Sequence, residues 1–208
     1  MGAQNGAPRA LLCDVDGVLR LWPPGAMTGA DLAHGLPEGT LAGTAFHPDH
    51  LLPAITGQVT DEEWREGIAA ALADLCGGPD RGRSLVAAWT NVPGTVDHEV
   101  AELLTAARDH VPVVLVSNAT TRLESDLAAL GLADLAADAV NTSRVGVAKP
   151  DPRVYRIAAE RAGAAPGECA FVDDSATNVA AARELGMAGV HHRGPADLRA
   201  ALERWGLA

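Results

Sequence analysis

Aromatic residues are scarce: one Tyr, two Phe and four Trp make up 3% of 208 residues. The apolar volume must therefore come from Ala, Val and Leu. With 48% hydrophobic and 21% charged residues, it is still that of an ordinary globular chain, enough for one core with a modest lobe attached. Cysteine is sparse too. Cys13, Cys76 and Cys169 are odd in number, far apart and without a C-x-x-C pair, which argues against a disulfide framework and for a reducing, cytoplasmic setting. Basic residues are in deficit, 16 Lys and Arg against 27 Asp and Glu, for a formal net charge of -11. Lys and Arg grip phosphate backbones and anionic lipid, so neither nucleic acid nor a membrane surface is an expected partner. Apolar runs such as Val111 to Val116 fall far short of a membrane span. The opening, Met1 to Pro8, lacks a basic region followed by an apolar stretch and reads as a loose polar tail, not a signal peptide.

What is present is an alternation of short apolar runs and helical periods. Ala10 to Val15 has the length of a buried strand, and Gly17 marks an abrupt turn after it. From Trp22 to Pro53 the text is rich in Pro, Gly and His and shows little periodicity. Thr60 followed by Glu63 predicts a capping box and a helix to about Leu75, then Gly77, Gly78 and Pro79 break the chain before a short helix from Gly82 to Trp89. Beyond Gly94 the pattern becomes regular. Helices are expected at 96–109, 121–130, 152–162, 176–185 and 195–205, and strands at 112–117, 137–140, 169–172 and 189–192. Such alternation implies an α/β fold, a Rossmann-like parallel sheet with helices on both faces. Residues 1–19 and 91–208 would form that core, and residues 20–90, which fit the alternation poorly, a small helical insert above the C-terminal ends of the strands.

Four small clusters fall at or just after those strand ends: Asp14 with Asp16, Ser117 with Asn118, Lys149 in VGVAKPDP, and Asp173 with Asp174. A parallel sheet brings all four to one edge. Four crowded carboxylates repel and stay ionised only if cations compensate, and Lys149 supplies one charge. A hard divalent ion with oxygen ligands answers the need; magnesium suits a site that also holds phosphate, and no neighbouring thiols or paired histidines at these strand ends favour zinc. Ser117, the adjacent amide and Lys149 could hold phosphate oxygens, while one carboxylate attacks and a second handles protons.

The ordered set DVDGVL, VSNAT, AKPDP and FVDDSATN resembles the haloacid dehalogenase superfamily over roughly residues 9–19 and 94–192. The resemblance implies that Asp14 is a nucleophile that becomes a phosphoaspartate. Asp16 would be the general acid and base, with its backbone carbonyl also on the metal. Ser117 would bind phosphate with Asn118 beside it, and Lys149 would steady nucleophile and phosphoryl group. Asp174 would ligate magnesium directly and Asp173 mainly through water. Dehalogenases of this superfamily lack a carboxyl at the position of Asp16, so its presence points to phosphate chemistry. The insert resembles the family's small helical cap. The implied protein is a magnesium-dependent phosphatase of a small phosphorylated metabolite, such as a sugar phosphate, acting as monomer or homodimer.

Each motif alone has a plainer reading. D-x-D-G can be a turn, Asp173-Asp174 a helix N-terminus, Ser117-Asn118 a cap and Lys149 a solvated loop residue. Their order and strand context argue for the site. Asn178 could brace the acidic loop or simply sit in a first helical turn. Cys13 and Cys169 read as core packing. Trp22, His47, Trp64 and Arg65 are candidate substrate readers in the insert, with core packing the alternative for Trp64 and solvation for Arg65. A phosphomutase using the same phosphoaspartate, or a non-catalytic binder of a phosphorylated ligand, are the rival functions.

Overall fold

All four residues of β1 (Ala10–Cys13) are apolar and fully buried, so the strand needs a neighbour on each edge and a layer on each face. The computed structural model, which describes residues 6–92 and 94–207, supplies both. Met1 to Asn5, most of the expected polar tail, lie outside the described residues. β1 runs parallel between β4 (Val113–Ser117) and β6 (Cys169–Asp173), and β5 (Asp138–Asn141) and β7 (Ala188–His191) complete a parallel sheet in the order β5-β4-β1-β6-β7. Side-chain alternation sorts the core into two layers. Leu11 and Cys13 join Leu115 and Val172 beneath α6 (His98–Arg108), α7 (Leu123–Ala129) and α11 (Pro195–Trp205). Ala10, Leu12, Val114 and Phe171 meet α9 (Pro152–Arg161) and α10 (Ala176–Glu184) on the other face. The α/β architecture expected from the alternation is the one the chain adopts. No helix among the described residues is long and apolar enough to cross a membrane.

Five helices fill the stretch between β1 and α6: α1 (Ala26–Ala33), α2 (Thr40–Ala45), α3 (Pro48–Ile55), α4 (Asp61–Cys76) and α5 (Pro79–Thr90). They bury an apolar cluster of their own around Leu41, Ile68, Leu72 and Leu85. α4 starts with the anticipated capping box: the Thr60 hydroxyl accepts from Glu63 N at 3.2 Å, and Thr60 N donates to the Glu63 carboxylate at 2.7 Å. Pro79, read as a break, is instead the first residue of α5, where an absent N–H leaves nothing unsatisfied. The Trp22 to Pro53 stretch, expected to lack periodicity, holds three helices. They escape notice because they are short, and because α1 and α2 start at the left-handed glycines Gly25 and Gly39 without a side-chain cap. Tertiary contacts order them instead. The buried Asp31 carboxylate accepts the amides of Gly39 and Leu41 at 2.9 Å each. A two-stranded antiparallel ribbon of β2 (Arg20–Leu21) and β3 (Thr95–Val96) closes the base of the insert, and no sequence pattern announced it.

α4 and α5 approach closely at Gly82, where an added Cβ would lie 2.4 Å from the carbonyl oxygen of Ala69. Helix propensity alone would make Gly82→Ala stabilising, but the clash is with backbone and reverses the sign, so a loss of roughly 2 kcal/mol is expected. Gly67 in α4 has open space around its Cβ position, and Gly67→Ala should gain up to about 1 kcal/mol. Thermal unfolding of the two variants checks this; a gain in both would mean that the helices do not meet at Gly82.

Candidate active site

The C-terminal edge of the sheet gathers the acids because parallel strands all end there. Asp14 follows β1 directly and its amide donates to Val172 O at 2.9 Å; Ser117 ends β4 and Asp173 ends β6. Lys149 arrives from the loop after α8 (Thr142–Val145). The side chain of Asn118 clamps that loop, accepting from Lys149 N at 2.8 Å and donating to Lys149 O at 2.9 Å. The buried Lys149 ammonium is satisfied in full: it donates to Asp14 Oδ1 and Asp173 Oδ2, both at 2.7 Å, and to Val116 O at 2.9 Å.

Asp173 is saturated by the protein. Its carboxylate also accepts from Ser175 N at 2.8 Å and from Asn178 Nδ2 at 3.0 and 3.1 Å, so Asn178 does brace the acidic loop. Asp174 stands exposed beside it. Carboxylate oxygens of Asp14, Asp173 and Asp174 all lie within 4.8 Å of one another. Burial pushes the Asp14 carboxyl up to about 7 against the pull of Lys149, with Asp173 adding to the rise. Burial and the charge on Asp173 also raise Asp174. Three carboxylates and one ammonium leave a formal charge of about -2 at this spot, and the donors are all oxygens. That set fits a hard divalent cation, which would favour the ionised carboxylates. Gly17 makes the arrangement possible: its φ is +87°, and a Cβ there would stand 2.2 Å from Asp174 Oδ2. Cys13 packs beneath the cluster, where burial pushes its thiol up, and Cys76 and Cys169 are likewise buried and unpaired.

The carboxylate of Asp16, expected within the acidic cluster, leaves it. Arg20 holds it with two parallel bonds, Nε to Oδ1 at 2.7 Å and Nη2 to Oδ2 at 2.9 Å, and Trp22 Nε1 donates to Oδ1 at 2.7 Å. Arg20 is 5% exposed, bonds Asp126 at 3.0 Å with its remaining arm and stacks on Trp22. Gly94 lets it pass, since a Cβ there would fall 2.8 Å from Arg20 Cγ. Arg20 was missed in the sequence, although a lone charge between Leu19 and Leu21 in an apolar run is a signal that a partner must exist. The Ser117 hydroxyl donates to Asp16 Oδ2 at 3.4 Å.

Above this edge lies a cavity of about 850 Å³ with Asp16 and Asn118 in its wall, enclosed by α1, α3, α4 and α5 together with the start of α7. Trp22, Trp64 and Arg65 line it; His47 caps α3 instead, its ring accepting from Asp49 N. Arg65 is not simply solvated, because its Nε lies 2.6 Å from Asp61 Oδ2. Asp61 also accepts from the Thr120 hydroxyl at 2.7 Å and its amide donates to the Thr121 hydroxyl at 3.0 Å, which ties the first residue of α4 to the core loop after β4.

Comparison with known families settles the lineage. The haloacid dehalogenase-like hydrolase family matches residues 8–186. The chain belongs to that family. Among curated haloacid dehalogenase-like and related proteins, it is similar to a phosphoserine phosphatase from Thermus thermophilus, 33% identical over 129 residues that cover 60% of this chain and 50% of that protein. The chain spans half or less of the curated relatives it matches. Its fold resembles an enzyme of the family from Bacteroides thetaiotaomicron solved with magnesium and inorganic phosphate, at TM-score 0.69 and 23% identity, covering 87% of this chain and 92% of that one. It also resembles a 2-haloacid dehalogenase from Pseudomonas syringae, at TM-score 0.66 and 22% identity, covering 95% and 99%.

In this haloacid dehalogenase-like chain, Gly17→Ala should push Asp174 away from the turn between Asp14 and Arg20. Magnesium affinity measured by calorimetry is expected to fall about tenfold or more. Unchanged affinity would mean that Asp174 takes no part in holding a cation at this cluster.

Proposed function

We propose that the chain is a magnesium-dependent phosphatase that hydrolyses a small phosphate monoester through an aspartyl-phosphate on Asp14. The observation that carries this reading is the separation of two carboxyls that are one residue apart in sequence. Asp14 is tied to Lys149 among the acids at the sheet edge. Asp16 is held by Arg20 and Trp22 at the wall of the cavity where a leaving group would sit. The nucleophile thus stays among the acids, and Asp16 takes up its proton after turning from the Arg20 fork toward the leaving group. The magnesium and phosphate bound by the Bacteroides enzyme, and the Thermus phosphoserine phosphatase, support the same reaction class.

Asp14 and Asp174, with the backbone carbonyl of Asp16, would hold magnesium directly and Asp173 through water; the ion when bound supplies positive charge against the phosphoryl oxygens. A carboxylate oxygen of Asp14 attacks phosphorus as the bond to the leaving oxygen breaks, and Asp16 gives that oxygen its proton. Water then attacks the phosphorus of the acyl phosphate while Asp16 takes its proton, which frees inorganic phosphate and restores Asp14. Lys149 orients Asp14 and offsets its charge, the Ser117 hydroxyl and the neighbouring amide receive phosphoryl oxygens, and Asn118 acts by fixing the Lys149 backbone. The helices of residues 20–90 act as a small cap that keeps bulk water from the phosphoenzyme, tied down through Asp61. Displacing a halide requires no protonated leaving group, so Asp16 favours an ester over a haloacid. Three buried, unpaired thiols support a cytoplasmic location.

Asp14→Asn keeps the shape and removes the nucleophile. Magnesium-dependent phosphate release should fall more than about a thousandfold with the melting temperature nearly unchanged. Release within a few-fold of the parent would overturn the mechanism.

A further inference from the structure

The chain spends most of its few aromatic residues in one place. Of four Trp, two Phe and one Tyr in the whole sequence, Trp22, Trp64, Trp89 and Phe46 line the cavity above Asp16. Trp89 packs edge-on against both Trp64 and Phe46, with ring centroids 5.6 and 6.3 Å apart. Phe46 and Trp22 are nevertheless about half exposed, at 51% and 48%, although burying such rings is favourable. Met27, Leu51, Ile55 and Leu123 extend the apolar lining.

The charges in the same wall cancel. Asp16, Asp61 and Asp126 face Arg20, Arg65 and Arg122, and each arginine is paired: Arg20 with Asp16 and Asp126, Arg65 with Asp61, Arg122 with Asp126 at 3.1 Å. Each arginine in this wall already has a carboxylate partner, and each aspartate an arginine. A substrate carrying a carboxylate, an amino group or a second phosphate beyond the reacting one would have to compete with those existing ion pairs. Thr28, Thr90, Asn91 and Thr120 add hydrogen-bonding groups to the wall, but aromatic and aliphatic side chains make up more of it, which suits an apolar ring better than a polyol.

We infer that the leaving group is an uncharged alcohol with a flat, apolar ring, whose ring stacks in the cage of Trp22, Phe46, Trp64 and Trp89 while its phosphate reaches Asp14 past Asp16. This substrate class rests on the phosphatase reading for the reaction, but the cage itself binds whether or not turnover follows. It disfavours the zwitterionic amino-acid esters and favours esters of alcohols that carry an aromatic ring over sugar phosphates.

Two measurements on the full chain test it separately from the reaction. The first is tryptophan fluorescence titrated with phenethyl alcohol, glycerol and serine in the absence of magnesium, since three of the four tryptophans line the cavity. Saturable change with phenethyl alcohol alone is expected; no change, or equal change with all three, overturns the inference. The second is phosphate release from phenethyl phosphate, glycerol phosphate and phosphoserine, all primary alkyl esters. The aromatic ester should show kcat/KM higher by about a hundredfold. Phe46→Ala, at a half-exposed position that the fold can spare, and Trp89→Ala should each erase most of that preference. Equal rates on all three esters sink the substrate class while leaving the phosphatase intact. Selective binding of phenethyl alcohol with no release from any ester sustains the cage and sinks the phosphatase.

Discussion

One buried ammonium organises this site. Lys149 places its three protons on Asp14, Asp173 and the carbonyl of Val116, and so joins the ends of three neighbouring strands through a single atom. Removing the ammonium would leave the buried Asp14 and Asp173 carboxylates uncompensated, typically at a cost of about 3–5 kcal/mol. The surroundings are built to keep the ammonium there. Asn118 fixes the Lys149 backbone from both sides, and Asn178 and Ser175 hold Asp173 facing it. What the lysine leaves uncompensated, about two negative charges spread over Asp14, Asp173 and Asp174, defines the demand for a divalent cation.

A second electrostatic unit governs Asp16. The Arg20 fork and the Trp22 indole draw its carboxylate toward the cavity, and Asp126 holds Arg20 in turn. Two aspartates separated by Val15 therefore live in different environments: one sits among acids and a lysine, the other between an arginine and an aromatic ring. The tight turn through Gly17 makes the separation possible, because it sends the chain back so that Gly17 N bonds Arg20 O at 2.9 Å.

The sheet and the acidic edge were legible because parallel strands impose both. Buried strands must be short apolar runs, their ends must coincide, and polar residues stranded at those ends must share a space. Asp14 and Asp173 follow from that argument, and Lys149, carried in by the loop after α8, meets both. Asp16 did not follow, since its direction is set by Arg20 and Trp22 through a ribbon of two-residue strands too short to leave a periodic trace. The helices α1 to α3 were hidden for a related reason: glycine starts and a buried Asp31 stabilise them through contacts distant in sequence. The aromatic cage was visible residue by residue in Trp22 and Trp64, but Phe46 and Trp89 join it only once α2 and α5 fold back over the core.

The central claim is that the carboxylate of Asp14 carries a phosphoryl group during turnover. Acid quenching of the enzyme during steady-state hydrolysis, followed by peptide mass spectrometry, reads this directly. The account predicts a peptide containing Asp14 heavier by one phosphoryl group, with the increment removed by hydroxylamine, as expected of an acyl phosphate. Steady phosphate release with no modified peptide, or with the group on any other residue, would contradict it.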